Sequence, residues 1–161
     1  MSQKLEVSFN SPQCGWMAIG FEDGINEFHT TTAHAPYTNA LGDLLNTLTA
    51  TLGKDNEGFS QTLKWNRDPE AFDFVFKKKN GITSIQIIEY PDETRKQQKS
   101  ETVFAYKGDS RQIAEAFYQT FKQLYNERNV DEFEQNWHQK FPFEEFEKLS
   151  KAIANVETAT Q

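Results

Sequence analysis

The chain has little of what small proteins use for covalent staples or special backbones. One cysteine, Cys14, in 161 residues excludes an intramolecular disulfide. Eight glycines and five prolines are too few for a collagen-like or low-complexity chain. The glycines are also scattered, without the G-x-G-x-x-G or P-loop spacing that cradles a phosphate, and no G-x-S-x-G elbow occurs. No apolar run approaches the ~18–20 residues needed to span a bilayer, and the opening MSQKLEVSF has no apolar signal core. A protein of the reducing cytoplasm, without membrane association, is the expectation. Positive charge is scarce too: 17 Lys and Arg face 24 Asp and Glu, a net of -7. Nucleic-acid binding needs a basic face that displaces counterions. The one basic cluster, Lys77, Lys78 and Lys79, precedes a turn and is expected to be a solvated hairpin tip.

What is present is a ring-rich core. Fourteen Phe outnumber the leucines, so aromatic packing must carry much of the interior. The length suits one domain. Acidity concentrates at the ends: residues 1–53 and 109–161 each carry a net -4, and residues 54–108 a net +1. A basic protein partner would suit such a surface.

Local patterns predict an α+β fold, with an antiparallel sheet packed on one face by a central helix and C-terminal helices. Leu5, Val7 and Phe9 alternate with polar residues, and Met17, Ile19 and Phe21 repeat that period of two. Asp23-Gly24 turns this second run into a third, Ile25 to Thr32. Leu41, Leu44, Leu45, Leu48 and Leu52 then form one helical stripe, capped by Thr38 or Asn39 and ended by Gly53, with Asp43, Asn46 and Thr47 on the polar side. Thr62–Trp65 reads as a strand stopped at Asp68-Pro69. Asn80-Gly81 is a type I′ signal joining Ala71–Lys79 to Ile82–Tyr90, which sets Phe76 opposite Ile85 and Phe74 opposite Ile87. Residues 91–100 read as an exposed loop and Glu101–Tyr106 as a last strand. Asp109 and Gln112 open a helix with Ile113, Phe117, Phe121 and Leu124 inward. Val130, Phe133 and Trp137 suggest a short helix. Pro142 opens another with Phe146, Leu149 and Ile153 inward, and a tail from Asn155 is expected to fray.

Reactive groups are sparse. His29 and His34 are five apart on or near a strand, facing opposite ways, so they form no joint metal site, and His138 is distant. No metal or cofactor is expected. Cys14, at a strand entrance, reads as a small half-buried residue. Asp68, Glu70 and Asp73 cluster at one hairpin and Glu22 and Asp23 at another. Glu89 continues the Ile85–Ile87 face and would sit at the rim of a covered layer, meeting a lysine or a ligand. The extended feature is C-terminal: Glu132, Glu134, Glu144, Glu145 and Glu147, interleaved with Trp137 and other rings, could form a docking patch for a basic protein surface, while helical spacing equally explains the rings as core and the acids as the solvated side.

The string C-G-W-M-A-I-G-F, the D-L-L-N-T-L helix at Asp43–Leu48, and W-N-R-D-P at Trp65–Pro69 ahead of a hairpin together resemble small uncharacterised bacterial α+β proteins. Some of these resemble immunity factors that neutralise a toxin by binding it. The resemblance spans residues 14–90 and implies a non-catalytic protein-binding domain. The alternative from the residues is a small-molecule binder or enzyme with a pocket between sheet and helices, around His29, Trp65 and Glu89.

Overall fold

The computed structural model describes residues 4–53 and 58–159, with side chains to residue 156. β1 (Glu6–Phe9), β2 (Trp16–Glu22) and β3 (Glu27–Ala33) form one antiparallel sheet in chain order. α1 (Ala40–Thr51) follows. β4 (Phe59–Asn66), β5 (Ala71–Lys79), β6 (Ile82–Tyr90) and β7 (Glu101–Asp109) form a second antiparallel meander, and α2 (Ser110–Glu127), α3 (Phe133–Trp137) and α4 (Phe143–Ala159) complete the chain. The fold is α+β, with its strands in two sheets rather than one. The helix between β3 and β4 replaces the short turn that would have paired them.

The rings of the inner faces meet each other. Phe9 and Phe21 of the first sheet contact Trp65, Phe74 and Phe104 of the second. Phe117 of α2 reaches Phe9, Phe21 and Phe76. The leucines of α1 are buried, and α1 packs on α4 as well as on β4. At ~25 cal/mol per Å² of apolar area, rings that each bury 150–250 Å² dominate the interior's hydrophobic stabilisation. The Asn80-Gly81 turn has both residues in the left-handed region, at φ 54° and 78°, and β5 and β6 pair in the register that such a loop dictates.

Several expectations change. Asn39 precedes α1, but its side chain donates to Asp43 Oδ1 instead of capping a backbone N–H. Leu52, in right-handed conformation, closes that helix rather than a left-handed Gly53. Thr47 is buried, its hydroxyl donated to the Asp43 carbonyl one turn back. Lys78 is buried because it continues the inward stripe of Phe74 and Phe76; its Nζ donates to the Gly53 carbonyl, an orphan acceptor past the end of α1. Lys77 and Lys79 stay exposed. Val130 is outside α3 and 85% exposed. α4 stays helical past Asn155 to Ala159, since nothing in Val156–Ala159 breaks a helix.

The 91–100 segment is exposed but tied down. Arg95 enters the protein and donates from Nε to Asp73 Oδ1 at 2.9 Å, from Nη1 to Tyr37 Oη at 3.0 Å, and from Nη2 to the Phe72 carbonyl at 3.2 Å. Tyr90 donates to the other Asp73 oxygen at 3.0 Å. Burial works against the charged guanidinium, but the bonds with Tyr37 and Asp73 outweigh it and hold its pKa above the usual value.

Candidate functional site

Where α2 ends, the chain turns through Asn129–Glu132 into α3. Glu132 and His138, at either end of that short helix, are both left-handed, at φ 51° and 70°. Backbone bonds from Phe133 to Arg128 and from His138 to Glu134 hold this turn against the cost of those conformations. The α3–α4 link then brings Phe141 and Phe143 against Tyr125. The result is a cleft of about 610 Å³ with Tyr125, Phe133, Phe141 and Phe143 as its apolar lining. Tyr125 also stacks on Phe146, so the floor of the cleft is continuous with the core.

Glu132 and Glu134 line the rim, together with Arg128 and Lys140. The two cations are not equivalent. Arg128 lies over the Tyr125 ring, 3.9 Å from its centroid, and donates to the Tyr125 carbonyl at 2.6 Å. Its charge is thus committed to the protein. Lys140 is exposed. Phe143, 48% exposed, gives the cleft an accessible ring.

The structure sorts the sequence-derived residues. Glu132 and Glu134 reach the cleft, and Glu144 is exposed in the first turn of α4. Glu147 pairs with Lys151 one turn on, at 3.7 Å. Glu145 turns toward α1, where its oxygen lies against Gly42. There desolvation first, and Glu145's repulsion after it, raise the Asp43 pKa, with the Asn39 bond opposing. Trp137 is a correction: at 1% exposure it is core, edge-on to His34, because the α3 turn points it inward. Tyr125 and Phe143 are the rings that line the cleft instead.

His29, Trp65 and Glu89 do not share a hollow. Trp65 is buried and stacked on Phe74 at 5.4 Å. His29 is exposed on β3 beside Glu22 and Glu27. Glu89 is half-buried, and its neighbours are Glu70, Arg67 and Glu101 rather than a lysine; desolvation, then Glu70's charge, push its pKa up. His34 and His138, distant in sequence, meet as tilted rings with centroids 4.6 Å apart over Gly15, where an added Cβ would lie 2.6 Å from His34 Nδ1. Cys14 beside them is exposed.

Sequence reasoning found the acids of the cleft but not Tyr125 or Arg128, which continue the α2 helix past its apolar stripe and carry no local motif. Among the described residues no helix is long and apolar enough to cross a membrane. Compared with protein-family models, with curated proteins and with solved structures, the chain matches none of them.

Proposed function

We propose that this protein is a non-catalytic binding module whose C-terminal cleft takes a basic, aromatic-bearing segment of a protein partner. The observation that carries this is the exposed Phe143 ring beside a half-buried aromatic floor, with the exposed Glu132 and Glu134 in the same lining, in a C-terminal segment whose net charge is -4. Ring anchors supply affinity in such a site, while charge of one sign steers the encounter. Arg128 and Lys140 also line the cleft, so the charge that steers a basic ligand is that of the surrounding C-terminal segment and not of the lining itself.

A toxin-neutralising role, as implied by the likeness to immunity factors, is the biological form we give this reading. Occluding a toxin needs a complementary surface and no reactive group. The test is binding of a lysine-rich peptide carrying spaced phenylalanines, followed by calorimetry at low and high salt. Binding should weaken as salt rises and drop about tenfold or more in Glu132→Lys/Glu134→Lys, a loss of ~1.4 kcal/mol. Affinity indifferent to both changes would remove the proposal.

A further inference from the structure

The outward face of the first sheet carries an arrangement outside that cleft. Glu6 of β1 is directly opposite Glu22 of β2, and Glu22 is directly opposite Glu27 of β3. Three glutamates thus form one row across three strands, although like charges directly opposite each other destabilise a sheet. The next row on the same face is Ser8, Gly20 and His29. Gly20 is what admits the imidazole: a Cβ there would lie 2.6 Å from His29 Nδ1 and 2.8 Å from Ser8 Oγ. With that edge of the ring seated over bare backbone, Nε2 faces the glutamates, 3.7 Å from Glu27 Oε2 and 4.0 Å from Glu22 Oε2. The three ligand atoms all lie within 4.8 Å of one another. A cleft of about 510 Å³, lined by Lys4, Glu6, Glu22, Ile25 and Glu27, opens along the row.

We propose that Glu22, Glu27 and His29 form a surface site for a divalent first-row transition-metal ion, with zinc as its representative. Ligand atoms around a four-coordinate zinc, with bonds of ~2.0–2.2 Å, lie about 3.4 Å apart. The observed separations exceed this by amounts that side-chain rotation closes, because Glu27 is exposed, Glu22 half-buried, and the strands fix their Cα positions. One imidazole with two carboxylates suits zinc and its neighbours better than magnesium or calcium, which take oxygen alone. The cation would offset the repulsion along the row, with water completing its coordination. Neutral imidazole is the ligand form.

The experiment is zinc titration of the untagged, chelator-treated full chain against a chromophoric competitor, repeated with cobalt, whose visible absorption reports tetrahedral coordination. One equivalent should bind. His29→Gln and Glu27→Gln should each weaken binding about tenfold or more, the scale set by loss of even outer-shell partners. Gly20→Ala, which leaves all three ligands but displaces the ring, should weaken it as well. His34→Gln/His138→Gln should leave it unchanged, with circular dichroism verifying that every variant is folded. No saturable binding, or binding lost with His34 and His138 but kept without His29, would overturn the site.

Discussion

Arg95→Met removes the cation that pairs with Asp73. The two side chains are each 14% exposed and meet at 2.9 Å. In the variant the Asp73 carboxylate keeps the Tyr90 hydroxyl, at 3.0 Å, and the Tyr37 hydroxyl and Phe72 carbonyl lose a donor. Breaking a buried ion pair by deleting one partner costs ~3–5 kcal/mol, and the residual solvent contact places this pair near the lower bound, about 3 kcal/mol. With a urea dependence of ~2 kcal/mol per M, the midpoint should fall by about 1.5 M. Equilibrium urea unfolding followed by tryptophan fluorescence reads this directly, since Trp65 is buried on β4 beside the network. Arg95→Met/Asp73→Asn should lose less than the sum of the two single variants, because the uncompensated carboxylate is gone. Lys99→Ala, exposed on the same loop, should stay within ~0.5 kcal/mol. A loss below ~1 kcal/mol for Arg95→Met, the range of an exposed pair, would refute the account of how this loop is held.

Further expectations concern the turn, the inward lysine and the carboxyls. Gly81→Ala, at φ 78° in the second hairpin, should cost ~1–2 kcal/mol in thermal unfolding, because a side chain there is strained even though open space surrounds it. Lys78→Ala should cost ~1–2 kcal/mol by the same assay through loss of its buried stem and of its bond to the Gly53 carbonyl, whereas Lys77→Ala should be nearly neutral. Glu89 has a pKa raised above 4.5 by desolvation and by Glu70, so its contribution to stability is greatest below pH 4.5 and is lost as pH rises through the folded-state value. Glu89→Gln should therefore stabilise the protein at neutral pH, with the gain vanishing on acidification toward pH 4.5; urea midpoints across that window measure it.

Elements fixed by short-range chemistry were legible. The second hairpin follows from Asn80-Gly81 and the alternation of Phe74, Phe76, Ile85 and Ile87, and both strand ends fall where the pattern places them. Asp109 caps α2 through the Gln112 N–H at 3.0 Å, and the leucine stripe of α1 is buried as its period demands. Features assembled from distant segments were not legible. Arg95 looked like one more charge in a polar loop, and its partner Tyr37 is 58 positions away. Trp137 reads equally as a docking ring or as core, because helical spacing on five residues cannot say which side faces the interior; it is core. His29 was weighed against His34, its nearest histidine in sequence, while the sheet brings it to Glu22 and Glu27 instead. In the cleft, Glu132 and Glu134 were visible as acids, but the ring floor needs three helices to form.

The most direct measurement is a backbone amide NMR titration of the labelled protein with the lysine–phenylalanine peptide at low salt. Shifts confined to the cleft around Tyr125, Arg128, Phe133 and Phe143, fading when salt is added, are the predicted result. Shifts centred elsewhere, or none at any salt concentration, would contradict the assignment of binding to this face.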